Sequence, residues 1–337
     1  MEKTLSPLKG TLWLRSDFPA IRKAAEIIRA GGLVAFPTET VYGLGASASD
    51  PAAVARIFSA KGRPSDNPLI VHVSDREQVY RVASSVPERA HFLMERFWPG
   101  PLSLVLPRSS AVPDLVSAGL PTVAVRMPSH PVALELIRTA GVPIAAPSAN
   151  RSGRPSPTSA RCVLEDLAGR IDAVLDGGTC RIGVESTVLD LTGPRAVILR
   201  PGGITREALT SALGEPVFQA SWKGVSIPPS PGMKYRHYAP RAPLILVTGP
   251  PSRRRRLLHI LANFYERRGL KVCLLADFLN QQGDDDVENI SRHLFRSLRR
   301  CDALKAGVIL AEGIASRGLG VAVMNRLGKA AFRVIRV

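Results

Sequence analysis

Apolar positions fall alternately into helix-spaced stripes and short continuous runs. Phe18 to Ala30 carries the helical spacing and stops at Gly31-Gly32, a natural helix end. Leu33-Val34-Ala35-Phe36 then reads as a strand that runs into Pro37-Thr38-Glu39-Thr40. Ala52 to Ala60 predicts a short helix and Leu69 to Val73 a strand. Pro87 to Phe97 predicts a further helix, closed by Trp98-Pro99-Gly100-Pro101. Strands are also expected at Leu102 to Leu106, Thr122 to Arg126, Val142 to Ala145, Ile171 to Leu175, Ser186 to Asp190 and Ala196 to Leu199. This mixture predicts an α/β domain over residues 14–217. Within Thr122 to Arg126, the period of two places Thr122, Ala124 and Arg126 on one face and Val123 and Val125 on the other.

A break follows. Ile227-Pro228-Pro229-Ser230-Pro231-Gly232 cannot be helix or central strand, so residues 218–241 read as a Pro-rich linker. Its continuation, Met233 to Pro240, holds more cations and aromatics than a spacer requires, and is expected to fold back over a ligand. In residues 242–337, strands at Pro243 to Val247, Lys271 to Leu275 and Val308 to Leu310 alternate with helices at Arg253 to Arg268, Ile290 to Arg300 and Leu319 to Ala331. Gly283 to Asp286 reads as a polar loop. That order predicts a small Rossmann-like sheet.

Composition alters the picture little. With 337 residues, 45% hydrophobic and 22% charged, the chain can bury a core in each of two domains. No apolar stretch approaches the roughly 20 residues of a membrane helix, and Met1-Glu2-Lys3-Thr4 opens no signal peptide. Cys162, Cys180, Cys273 and Cys301 are scattered without metal-ligand spacing, so free thiols and a reducing cytoplasm are expected. The net charge of +17 divides into +7 for the first 240 residues and +10 for the rest. A basic surface can concentrate ATP or RNA, or simply be solvated, and composition does not separate these. The run Arg253 to Arg256 poses the same choice.

Chemistry gathers at strand ends. Lys61-Gly62-Arg63-Pro64-Ser65-Asp66-Asn67-Pro68 precedes one strand, and Ala146-Pro147-Ser148-Ala149-Asn150 follows another. Cations, a hydroxyl and amides suit a polyanion such as a nucleoside triphosphate, in a chain that has no Walker-type loop. Pro37 to Gly45 offers two hydroxyls and a carboxylate beside glycines, which suits a small amino-acid-like ligand, although a plain turn remains possible. Its Gly-x-Gly lacks the rest of a dinucleotide fingerprint. Arg126 at a strand end points to an anionic partner or an internal salt bridge. His72 is either a ligand contact or a satisfied core histidine, and its neighbours favour contact. Glu185-Ser186-Thr187 and Leu199 to Gly203 repeat the theme, and the shared strand-end position argues for one convergent site.

Taken together these residues resemble the threonylcarbamoyl-AMP synthase family in its long two-domain form. The motifs are PTETVYGLG from Pro37, KGRPSDNPLIVHV from Lys61, FWPGPLSLVL from Phe97, TVAVRMP from Thr122 and APSANRSGRPSPT from Ala146. ESTVLD from Glu185, LRPGGIT from Leu199, SPGMKYRHYAP from Ser230 and GLGVAVMNRLGKAA from Gly318 continue the match. The resemblance implies a YrdC-like twisted mixed sheet with flanking helices forming a deep cleft, and a small Rossmann-like C-terminal α/β domain. It implies that L-threonine, bicarbonate and ATP yield threonylcarbamoyl-AMP and pyrophosphate, for threonylcarbamoyladenosine modification of tRNA. By the same resemblance Thr40, His72, Arg126, Ala146 and Ser186 contact threonine. Arg63, Asn67, Thr122, Ser148, Ser156, Arg200 and Tyr238, with Tyr235 as a further candidate, contact ATP. Lys61, Arg63, Ser148 and Asn150 match a KxR and SxN signature and are the expected catalytic group. Mg2+ is expected with ATP and no metal is expected on protein side chains. The implied partner is a threonylcarbamoyl transferase complex that takes the product; direct tRNA binding is open. Two other readings are a hydrogenase-maturation carbamoyl transferase, which needs cysteine-paired zinc sites, and a non-catalytic RNA-binding protein, which needs none of these polar strand ends.

Overall fold

A computed structural model describes residues 5–8, 10–220, 237–279 and 287–337. Tyr235, most of the Pro-rich linker and the loop from Gly283 to Asp286 fall outside those residues. The chain divides into two compact units. One comprises Met1–Ser152, Pro157–Arg181 and Glu185–Lys234; the other comprises Gly153–Ser156, Ile182–Val184 and Tyr235–Val337.

The first unit begins with strands β1 (Leu5–Leu8) and β2 (Thr11–Arg15), which lie ahead of the first predicted element. Helix α1 (Phe18–Arg29) is capped by Asp17, whose carboxylate accepts from Ala20 N at 3.0 Å. Then come β3 (Val34–Phe36), β4 (Gly43–Ser47), α2 (Pro51–Lys61), β5 (Ile70–His72), α3 (Glu77–Val82) and α4 (Glu88–Phe97). They are followed by β6 (Leu102–Pro107), α5 (Asp114–Ser117), β7 (Thr122–Arg126), α6 (Pro131–Ala140), β8 (Ile144–Ala146) and α7 (Ala160–Leu167). The unit closes with β9 (Ala173–Asp176), β10 (Thr187–Asp190), β11 (Val197–Arg200), α8 (Arg206–Leu213) and β12 (Phe218–Gln219). The strands form one mixed sheet in the order β1-β2-β9-β3-β4-β8-β5-β7-β6-β10-β11-β12.

Strand β4 takes up the last three residues of Pro37 to Gly45, a stretch read from sequence as a ligand site or a plain turn. Its glycines serve packing here: a Cβ on Gly45 would sit 2.6 Å from Ile144 Cγ2 and 2.7 Å from the Phe36 ring. Only glycine lets β4 lie between β3 and β8 at this distance.

The second unit holds β13 (Leu244–Thr248), α9 (Pro251–Glu266), β14 (Val272–Leu274), α10 (Ala276–Leu279), α11 (Val287–Ala303), β15 (Val308–Glu312), α12 (Gly320–Ala330) and β16 (Arg333–Arg336). Its sheet, β14-β15-β13-β16, is parallel throughout, as the alternating strand–helix order predicts. Ile245, Val247, Val308 and Leu310 pack beneath Leu257, Leu258 and Leu261 of α9. The four expected free thiols are corrected to two. Cys273 in β14 and Cys301 near the end of α11 are joined, with Cα atoms 6.1 Å apart, while Cys162 and Cys180 are free. Spacing along the chain hides such a pair, because the sheet brings a helix end back beside a strand 28 residues away.

Candidate active site

Alternation along the central strands divides the large sheet into two unlike faces. On one, Leu69, Val71, Val73, Leu104, Leu106, Val123, Val125, Leu189 and Ile198 join the main hydrophobic core. On the other, a second core under α1 and α6 takes in Val34, Phe36, Ile144 and Ala146, while further along the sheet a small cluster forms from Ile70, Val105, Ala124, Val188 and Leu199. His72 follows Ile70 by two residues, Thr122 and Arg126 flank Ala124, and Ser103 precedes Val105 by two, so all belong to this second face. Ladder register puts His72 beside Arg126 on β7 and Ile144 on β8, and Ile70 opposite Ala146. Strand ends alone do not unite these groups. Thr122 begins the strand that Arg126 ends, so the polar residues run the length of one face.

Lys61 is the last residue of α2. Gly62 then takes the left-handed conformation at φ 62° and turns the chain into the loop carrying Arg63 and Asn67. The Lys61 side chain is 3% exposed, and its Nζ donates to the carbonyl oxygens of Ser148 and, at 2.5 Å, Asn150. The Ser148–Asn150 loop is stitched in place in turn. Pro147 O accepts from Leu44 N, Ala149 N donates to Tyr42 O, and Ser152 N donates to Lys61 O. Ser148 Oγ donates to Asn150 Oδ1 at 2.5 Å. Burial, and then the Arg63 charge, push Lys61 well below the ordinary lysine value, while Asp166 acts in the opposite sense. Arg63 donates to the carbonyls of Asn67 and Pro68 at 3.0–3.3 Å. Asn67 Oδ1 is buried with no hydrogen-bond partner among the described residues.

Arg126 anchors the second group. Its Nη2 lies 2.7 Å from Glu39 Oε1, in an ion pair whose two side chains are each 4% exposed. Nη1 donates to Thr40 Oγ1 at 3.0 Å and Nε to Gly100 O at 3.1 Å. Thr38 Oγ1 sits 2.8 Å from Thr40 Oγ1, and Glu39 Oε2 accepts from Ser129 N. His72 is held neutral, its pKa pushed down to about 3 by burial and then by Arg126. Its Nδ1 has no hydrogen-bond partner among the described residues. A base so weak cannot take a proton from an ammonium group, but it can accept a hydrogen bond from one.

Ser186 and Arg200, assigned to different ligands by resemblance, are bonded to each other. Arg200 Nη2 donates to Ser186 Oγ at 3.1 Å, and Ser103 Oγ lies 2.8 Å from the same oxygen. Gly202 packs so closely on this segment that a Cβ would meet Glu185 O at 2.3 Å. Ser156 and Tyr238 belong to the second unit. There the Tyr238 ring stacks on Phe295 at 5.2 Å and the Arg326 guanidinium stands 5.6 Å from its centroid. Sequence reasoning offered Glu39 as a ligand-binding carboxylate rather than as the partner of Arg126, and assigned no role to Ser103 or Asp166. The internal salt bridge offered for Arg126 is the one it makes, with Glu39. Among the described residues, no group of three His, Cys, Asp or Glu side chains stands together as a metal site.

Comparison with known proteins follows this geometry. A Sua5, YciO and YrdC family described as "Telomere recombination" matches residues 26–202. One described as "Threonylcarbamoyl-AMP synthase, C-terminal domain" matches residues 204–332. A threonylcarbamoyl-AMP synthase of Pyrococcus abyssi is 53% identical over 326 residues, covering 94% of this chain and 96% of the relative. Its Bacillus subtilis counterpart is 48% identical, covering 96% of each. The crystal structure of P. abyssi Sua5 complexed with L-threonine superposes with a TM-score of 0.91 at 51% identity, over 96% of this chain and 98% of that one. Escherichia coli YciO matches 56% of this chain and 94% of its own at 26% identity, with a TM-score of 0.51.

Proposed function

The chain belongs to the threonylcarbamoyl-AMP synthase family, and from that premise we propose that it joins L-threonine, bicarbonate and ATP into threonylcarbamoyl-AMP with release of pyrophosphate. The observation that carries this reading is the polar face of the large sheet. It carries an amino-acid-sized group, Arg126, Thr40 and His72, and the loop after β8, the strand paired with that of His72, holds Lys61 of the anion-binding group. The solved P. abyssi relative complexed with L-threonine supports the first assignment.

In this reading the threonine carboxylate and hydroxyl meet Arg126, Thr40 and Ser186, and the Ala146 backbone borders the amino acid. His72 Nδ1 accepts a hydrogen bond from the substrate amine. The free amine takes up bicarbonate as a carbamate with loss of water. A carbamate oxygen then attacks the α-phosphorus of ATP, the bond to the β-phosphate oxygen breaks, and pyrophosphate leaves. The carbamate is short-lived in water, so proximity and shelter supply much of the acceleration. Lys61, Arg63 and Arg200 supply positive charge where it develops on phosphate oxygens, and Ser148, Asn150, Asn67 and Thr122 orient the nucleotide. The family resemblance also assigns Ser156, Tyr238 and Tyr235 to ATP.

Mg2+ fits this donor set as an ion brought by ATP. The neutral oxygen Asn67 Oδ1, buried without a hydrogen-bond partner among the described residues, would face it. When bound it neutralises triphosphate charge. The product serves threonylcarbamoyladenosine modification of tRNA and passes to a threonylcarbamoyl transferase complex. To test the reading, the purified protein is incubated with ATP, L-threonine and labelled bicarbonate, and pyrophosphate and the adenylate are measured. Product that needs both threonine and bicarbonate is expected; ATP turnover indifferent to either would end this reading.

A further inference from the structure

One peptide unit in the active site is held from both sides. The Asn150 carbonyl accepts from Lys61 Nζ at 2.5 Å, and the N–H of the same peptide, that of Arg151, donates to Asp166 Oδ2 at 3.3 Å. Asp166 stands near the end of α7, a helix fixed at its start by Ser159, and is itself 5% exposed. A carboxylate in such a place is costly unless partnered, because burial strips it of water.

The charges of Arg63 and Asp166 both act on the Lys61 amine. Arg63 comes from the loop that continues the lysine's own helix, and Asp166 comes from α7. They pull in opposite directions: Arg63 reinforces burial in driving the proton off, while Asp166 retains it. The peptide between Lys61 and Asp166 is oriented so that its dipole adds to the second effect, with its oxygen toward the cation and its hydrogen toward the anion.

We propose that Asp166 is a positioning residue of this active site, anchoring the Asn150–Arg151 peptide whose carbonyl holds Lys61 and supplying the negative charge that balances the Lys61 ammonium. Asp166 acts through Lys61 and the Ser148–Asn150 loop. Its consequence for catalysis rests on the synthase reading; its effect on Lys61 does not.

Asp166→Asn removes the charge and keeps an oxygen for Arg151 N–H. The test follows Lys61 in the full chain by NMR, with 13Cε-labelled lysine and the signal assigned from its loss in Lys61→Arg. The Lys61 midpoint is expected to fall by about one pH unit, a tenfold weaker hold on the proton, as for loss of one nearby opposite charge. Asp166→Glu restores most of the shift. Asp166→Ser, neutral and smaller, gives a second measurement should the amide variant fail to fold. In the assay, the alkaline limb of pyrophosphate formation moves by the same interval while KM for threonine holds. A Lys61 midpoint that stays in place in folded, neutral variants overturns the proposal. A midpoint that moves in a protein making no pyrophosphate leaves the proposal standing and removes the synthase reading instead.

Discussion

Along β5, β7 and β6 the two faces of the large sheet are built from the same strands, one residue out of phase, and they do opposite things. Val71, Leu104, Val123 and Val125 turn to the main core, and burying each such side chain contributes about 1.5–3 kcal/mol. Their immediate neighbours His72, Ser103 and Arg126 turn the other way, and as polar groups they gain little from leaving water. The Arg126–Glu39 pair and the Lys61 ammonium are held in place, but they do not hold the fold together. The difference teaches a division of labour. The packed face supplies rigidity, and the polar face uses it to keep charges where an unaided loop would let them move.

Arg63 gives the sharpest way to break this comparison. Removing it by Arg63→Ala takes a cation from the loop beside Lys61 without opening the core. Steady-state assays should show kcat for pyrophosphate formation falling by about 10²–10³-fold, the usual cost of losing one preorganised charge stabiliser. Thermal unfolding should change little. Turnover close to that of the parent would detach the polar face from the chemistry.

Leu104→Ala is the counterpart from the packed face. It should lower the unfolding free energy by about 2–5 kcal/mol in urea titrations, as cavity-forming substitutions do. The folded protein that remains should keep its KM for threonine. A large KM change would mean that the two faces are not separable.

Acid tests the polar face alone. His72 has a folded pKa of about 3, whereas an unfolded histidine titrates near 6.5. Below about pH 6.5 the unfolded chain takes up a proton that the folded chain refuses, so this stability is complete above that pH and is lost as pH falls toward 3. Between pH 7.5 and 5 the loss from this one group is about 2 kcal/mol. Urea midpoints at the two pH values should converge by that amount in His72→Asn. An unchanged pH slope would show that His72 is not held neutral.

What the sequence disclosed follows from which signals are local. The alternation of Thr122 to Arg126 needs only the period of a strand, and it correctly separated Arg126 from Val125. The end of α2 at Lys61-Gly62 needs only the left-handed preference of glycine. By contrast, β4 was hidden because its glycines look like a turn unless Phe36 and Ile144 are known to press on them. The Cys273–Cys301 pair, the Glu39 ion pair and the peptide linking Lys61 to Asp166 depend on which distant elements become neighbours. Periodicity carries no such information.

Ser103→Ala is the finest probe, because Ser103 and Leu104 are adjacent in β6 yet belong to opposite faces. Ser103 Oγ shares a hydrogen bond with Ser186 Oγ, which also accepts from Arg200. Losing that bond should cost only about 0.5–1.5 kcal/mol of stability, less than the Leu104 substitution beside it. Its mark should instead fall on substrate: with Ser186 less constrained, KM for threonine should rise about two- to tenfold, on the order of one lost hydrogen bond. The pair of neighbours then gives a crossed result, stability without KM at 104 and KM without much stability at 103. If both substitutions moved the same quantity, face orientation would not be what assigns these residues their roles, and proximity to the core would explain them equally well.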